Sequence, residues 1–204
     1  MQGFKHGFSQ FISYLFHPGI MPTVGALFVL WSVPETYSWN TIFKITSTVF
    51  VGTYASPLIA IVLFRATKTI SSVHLIERED RIYPYITGAA CAFATAAFLK
   101  KAMAPEEIYL TVYGTAFVLI VSTILIPYFK SSAHMAGATG FFALFLRLHQ
   151  RYGVGKPEYL LLLLLMLGAV AWSRISLKRH TLQELLSGGL LGFSVVYVLL
   201  SHQS

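Results

Sequence analysis

The chain has 204 residues, 55% of them hydrophobic and only 11% charged, with fifteen Lys and Arg against eight Asp and Glu and a formal net charge of +7. A water-soluble domain carries about 25% charged residues, and one domain of this length has too little interior to hide so much apolar surface; lipid accommodates it instead. The positive charge is dispersed, with no long basic run and no interleaved binding motif, so it excludes nucleic acid as a partner and fits loops beside anionic headgroups.

At the N-terminus Phe4, Phe8, Phe11, Ile12, Leu15 and Phe16 recur at helical spacing between Lys5, His6, Ser9 and Gln10. That pattern predicts an amphipathic helix lying in the headgroup region. Apolar segments follow around Gly25 to Val33, Phe43 to Phe64, Ile82 to Leu99, Ile108 to Phe129, Ala133 to Leu148, Tyr159 to Ile175 and Leu182 to Leu200. A helix needs about 20 mostly apolar residues to cross the hydrocarbon core, so the expected fold class is all-α, a polytopic transmembrane bundle of about six or seven helices. Residues 1–204 read as a single integral membrane domain with short connections. The first segment is short, bracketed by Pro22 and Pro34, and has no small-x-small cleavage pattern after it, so it is expected to be retained. The single cysteine, Cys91, lies inside an apolar segment and reads as a small buried hydrophobe. Gly188 and Gly192 form a small-xxx-small pair of the kind that lets two helices approach closely in lipid. The leucine run Leu160 to Leu165 is expected to face lipid or core and to carry no chemistry.

Ionisable residues beside membrane spans are costly and mark function. Here they gather in three places: Arg65 to Arg81, Lys130 to His134, and Ser173 to Glu184. Two crossings separate each cluster from the next, so parity puts all three on one membrane face. If the last helix starts near His180, Glu184 follows one turn later on the same side. A carboxylate there can hold one ring nitrogen of His180 and leave the other for nucleophilic attack. Arg174, at the end of the preceding helix, can offer a bidentate fork to phosphate oxygens. His134, at the start of the fifth span, suits an anion that needs a proton donor beside helix N-terminal N–H groups. Lys130, Lys178 and Arg179 read as headgroup anchors.

Two of these clusters resemble the membrane-embedded type 2 phosphatidic acid phosphatase superfamily. Ser173-Arg174, five residues, His180, three residues, Glu184 is similar to that family's Ser-Arg…His…Asp signature, and Ser132-Ala133-His134 to its Ser-Gly-His. Glu184 stands where the family has Asp, and Ala133 where it has Gly. The family's Lys, six residues, Arg-Pro motif is represented by a degenerate Glu77-Arg78-Glu79-Asp80-Arg81-Ile82-Tyr83-Pro84, with His74 at the lysine position if Arg81 takes the arginine's. The resemblance implies a metal-independent lipid phosphatase without a cofactor. His180 would form a phosphohistidine, Glu184 would orient it, and His134 would protonate the leaving alkoxide. Arg174, Arg81, Arg78 and Ser132 would bind the phosphate.

The resemblance also implies a phospholipid, polyprenyl or lipid A phosphate as substrate. It implies a bacterial inner membrane as the site, with the catalytic face toward the periplasm. The degenerate first motif supports a different expectation, an inactive phosphatase-like subunit or transporter that binds lipid phosphate. A third, haem ligation by pairs among His74, His134, His149 and His180, would need histidines inside spans at matching depth; His74, His134 and His180 sit at span edges.

Overall fold

The computed structural model describes residues 2–73, 75 and 77–201. Its elements are helical, with no strand among the described residues: α1 (Gln2–Leu15), α2 (Met21–Ser32), α3 (Trp39–Phe50), α4 (Ser56–Ala66), α5 (Ile82–Lys101), α6 (Glu106–Leu125), α7 (Ala133–Tyr152), α8 (Pro157–Ser176) and α9 (Leu182–Ser201). Five helical segments are long and apolar enough to cross a bilayer: Trp39–Ala66, Glu79–Lys101, Glu106–Leu125, Glu158–Ser176 and Leu182–Ser201. Their outward faces carry exposed Ile59, Val62, Phe93, Phe98, Ile124, Leu161, Leu165 and Leu190. Burial in water would cover such side chains, so this exterior is compatible with an integral membrane protein. The leucine run of α8 therefore faces outward.

Two expected spans differ from this set. The segment around Gly25 to Val33 forms α2, a helix of 12 residues, which at 1.5 Å per residue is about 18 Å long and short of the hydrocarbon thickness. The segment from Ala133 forms α7, which has 20 residues but carries His134, Arg147, His149 and Arg151. Its polarity has a physical reason. α7 is surrounded by α2, α6, α8 and α9, and a helix enclosed by protein needs no continuous apolar surface.

Residues 39–66 form one continuous rod, interrupted by a π-helical turn at Val51–Ala55. Pro57 has no N–H for the carbonyl one turn back, and the widened turn absorbs that missing bond. Thr53 in the turn donates to Val49 O at 2.9 Å and to Gly19 O at 3.2 Å, which ties the rod to the α1–α2 connection.

The closest helix pair is α7 with α9. A Cβ at Gly188 would run into the Ser132 backbone, and one at Gly192 into the backbone of Ala136. The two glycines thus let the helices meet main chain to main chain, as their spacing predicted. The apolar core lies toward the far ends of these helices, where Val29, Ile108, Val112, Leu144, Leu148, Val196 and Leu200 interlock. There Tyr152 Oη donates to Glu107 Oε1 at 2.6 Å and Arg151 reaches the same oxygen at 3.3 Å, fastening α7 to the start of α6. Arg147 donates to the Leu200 carbonyl at 3.1 Å and satisfies the last turn of α9.

Gly192→Val should force α7 and α9 apart at the cost of overpacking, about 1–3 kcal/mol. The expected outcome is a lowered thermal unfolding midpoint in detergent, together with lost function. Gly168→Val, at a glycine with open space around it, is the matched control and should leave the midpoint unchanged.

Candidate active site

The last turn of α8, the start of α9, the start of α7 and the approach to α5 come together at one end of the bundle. α9 begins after a turn closed by Thr181 and Glu184: the Glu184 N–H donates to Thr181 Oγ1 at 3.3 Å, and the Thr181 N–H donates to Glu184 Oε2 at 3.0 Å. This reciprocal cap is a capping box that fixes the carboxylate. The same Oε2 lies 3.0 Å from His180 Nδ1. A carboxylate accepts, so Nδ1 carries the proton of the neutral ring and Nε2 keeps a lone pair.

His180 is buried. Its imidazole is held down to a pKa of about 3, first by burial and then by the positive Arg81, Arg174 and Lys130, while the Lys130 backbone, which favours the protonated ring, pulls the other way. A group with a lowered basic pKa is neutral in the fold but protonates at about 6.5 when unfolded. His180 therefore costs stability as the pH falls from about 6.5 toward 3, where the unfolded chain binds the extra proton.

The start of α7 is locked to this turn. The Ser132 N–H donates to the Glu184 carbonyl at 2.9 Å, and Ser132 Oγ caps α7 by accepting from the Met135 N–H at 3.4 Å. His134 follows one residue into the helix. Its Nε2 lies 3.1 Å from the Ser13 carbonyl, which can only accept, so this nitrogen bears the proton. Ser13 Oγ also contacts His134 Nε2 at 3.2 Å and accepts from Arg174 Nη1 at 2.7 Å. Next door, Ser173 Oγ donates to the Ser9 carbonyl at 2.7 Å, and both serines are fully buried.

Arg81 is 8% exposed. Its guanidinium donates to the Leu75 carbonyl at 3.2 Å, to Tyr85 Oη at 3.3 Å and to the Ser131 carbonyl at 3.3 Å. Among the described residues no carboxylate lies within ion-pair distance of Arg81 or Arg174. Arg174 Nε is buried and has no hydrogen-bond partner among the described residues. A guanidinium left without a counterion in the interior is strongly unfavourable, and each such donor calls for an occupant. The arrangement suits an anion with several oxygens.

These groups border one cavity of about 580 Å³. Its charged end carries Arg81, Lys130, His134, Arg174 and His180, and its walls continue to Leu119, Phe141, Leu144 and Val196 in the middle of the bundle. Arg81, His134, Arg174 and His180 are thus brought together as the sequence led us to expect, with Glu184 behind His180. Two expected phosphate ligands stand apart. Ser132 is fully buried in its capping role and does not border the cavity. Arg78 is exposed, paired with Glu79 at 2.8 Å and bonded to the Pro127 carbonyl at 3.4 Å. His74 falls outside the described residues.

The sequence did not single out Ser13, His17 or Tyr85, and it assigned Lys130, Lys178 and Arg179 to headgroups, whereas all six border the cavity. Lys130 has its pKa lowered by burial and by Arg81. His149 lies fifteen residues along α7 from His134, about 22 Å at 1.5 Å per residue, and its Nδ1 is 2.8 Å from the Val154 carbonyl. Those two histidines cannot share a haem iron.

No protein-family model, curated protein or solved structure matches this chain.

Histidine-selective nitrogen-15 NMR in detergent tests the electrostatics of the site. The signal lost in His180→Asn should keep the shifts of a neutral ring, protonated on Nδ1, from pH 8 down to pH 5. A midpoint near 6.5 would show that the burial and the three cations do not act as described.

Proposed function

We propose that this protein is a membrane lipid phosphatase that cleaves a phosphomonoester or pyrophosphate through a phosphohistidine. The observation that carries this reading is a neutral histidine, oriented by Glu184 at 3.0 Å, beside the buried Arg81 and the half-buried Arg174, neither with a carboxylate partner among the described residues. The motif resemblance adds to that geometry.

In the proposed cycle, phosphate oxygens take the open donors of Arg174 and Arg81, and the approaching anion replaces Ser13 at His134. His180 Nε2 attacks phosphorus in line. The P–N bond forms as the P–O bond to the lipid breaks, and His134, which takes up a second proton at Nδ1 as the anion binds, passes its Nε2 proton to the departing oxygen and returns to the neutral ring. Glu184 stabilises the Nδ1–H of the phosphorylated ring. Water, deprotonated by the now neutral Nε2 of His134, then attacks the phosphohistidine, releasing phosphate and restoring His180. The arginines supply the electrostatic share, and each well-aimed donor contributes about 10²–10³ in rate. Their fixed forks act where the charge spreads over the equatorial oxygens.

The proposal extends to the setting. Parity of α5–α6 and α7–α8 favours all the charged groups at one water–lipid boundary, so a substrate can keep its tail apolar while its phosphate meets the arginines. In this reading α7 crosses the membrane with the five apolar segments, giving six spans. α1 lies at the interface with Phe11, Tyr14 and Leu15 exposed. The bacterial inner membrane with a periplasmic active face is the location we propose.

A release assay with lipid phosphates in mixed micelles tests the function. His180→Ala should abolish phosphate release while keeping the wild-type thermal midpoint. Arg174→Lys should lower kcat/KM by about 10²–10³, because a point charge does not replace the fork. Full turnover in the His180 variant would defeat the mechanism. Binding without turnover in the wild type, across several pH values, would point instead to a phosphate-binding subunit.

A further inference from the structure

A third histidine faces the same cavity and has no part in the cycle above. His17 sits in the turn between α1 and α2, where the Ile20 N–H donates to its carbonyl at 2.9 Å and the Gly19 N–H donates to its Nδ1 at 3.2 Å. A nitrogen that accepts from a backbone N–H cannot also hold the proton of a neutral ring. The proton is therefore on Nε2, and this atom is a donor. Burial and then Arg174 lower the pKa of His17, which keeps it neutral near pH 7. The ring packs edge-on against Tyr54 and His134, with centroids 5.3 Å and 5.8 Å away.

The order of the three rings matters. His17 packs directly against His134, with ring centroids 5.8 Å apart, and His134 in turn lies within electrostatic range of His180. If His180 attacks and His134 serves the leaving oxygen, His17, packed against His134 and bordering the same cavity, neighbours the departing group. The charge at the cavity mouth makes the same point. Arg81, Lys130, Arg174, Lys178 and Arg179 border the cavity, and among the described residues no Asp or Glu does. A phosphomonoester brings only about −1.5 to −2 at pH 7, and five cations exceed it.

We propose that His17 is a specificity-determining residue that donates from Nε2 to the lipid-side phosphate of a lipid pyrophosphate, so that the site prefers a pyrophosphate over the matching monophosphate. This rests on the phosphatase reading for its chemistry. His180 attacks the terminal phosphorus, the bridging P–O bond breaks, and the lipid monophosphate leaves with the electron pair. Hydrolysis of the phosphohistidine by water then gives inorganic phosphate. His17 neither attacks nor transfers the proton; it holds the leaving phosphate.

The test compares farnesyl pyrophosphate with farnesyl monophosphate in the wild type, His17→Phe and His17→Asn. Phe keeps the ring packing and removes the donor, whereas Asn restores one. Wild type should favour the pyrophosphate. His17→Phe should lose about tenfold or more in kcat/KM for the pyrophosphate, the worth of a hydrogen bond to a charged group, with little change for the monophosphate. His17→Asn should recover part of the preference.

A parallel binding measurement uses the farnesyl methylene-bisphosphonate and the farnesyl phosphonate, which are not hydrolysed. Tighter bisphosphonate binding that depends on His17 supports the assignment even if nothing is turned over, and in that case only the phosphatase reading falls. Equal losses on both ligands, or none on either, overturn the assignment and leave the phosphatase reading standing wherever phosphate is still released.

Discussion

Everything at the site hangs on the approach of α7 to α9. Gly188 and Gly192 let the two backbones touch at Ser132 and Ala136, and the Ser132 N–H closes on the Glu184 carbonyl at 2.9 Å. One short contact therefore sets the distance between two functional helix starts. The residue that donates it is the N-cap of α7, and the residue that accepts it carries the carboxylate behind His180. Any sliding of one helix along the other would move His134 relative to His180 and break the cap at the same time. In a membrane no hydrophobic drive pulls helices together, so close packing and a few hydrogen bonds must supply this precision.

The polar interactions around that contact are of two kinds. Some are bonds that complete main-chain valences, such as Ser173 to Ser9 and Arg81 to Leu75 and Ser131. Others belong to groups that keep a donor without a partner among the described residues, above all Arg174. Positive charge concentrates there with only partial compensation, from Glu184 and Glu77 acting on Lys130, and the enclosing apolar helices weaken its screening. The cost of gathering these cations would be offset by an anion, so on the proposed reading affinity for phosphate and instability of the empty site have one origin.

The sequence carried a good part of this. The i, i+4 spacing of His180 and Glu184, the glycine pair and the parity of the charged clusters were each readable because they depend on helix periodicity or on counting crossings. What escaped was tertiary. Ser9 and Ser13 are spaced four apart and share one face of α1, but on an amphipathic segment a polar face is expected to meet water. That this face meets α8 instead depends on partners more than 150 residues away, and no local pattern encodes it. Lys130, Lys178 and Arg179 were assigned to headgroups for the same reason, since a basic residue beside a span looks alike whether it borders lipid or a cavity. α7 went the other way: its charges lowered its mean hydropathy, while its enclosure by other helices made them tolerable.

The bond from Arg174 to Ser13 joins residues 161 positions apart in the chain. A ribosome-bound chain inserting from its N-terminus has long since released α1 when α8 emerges. α1 can meet His134 of α7 first, and must then wait for α8 before Ser9 and Ser13 gain Ser173 and Arg174 as partners. The candidate site is consequently among the last parts of the protein to exist during biosynthesis, and a chain cut short before residue 174 has Ser13 and His134 but lacks the guanidinium that bonds Ser13.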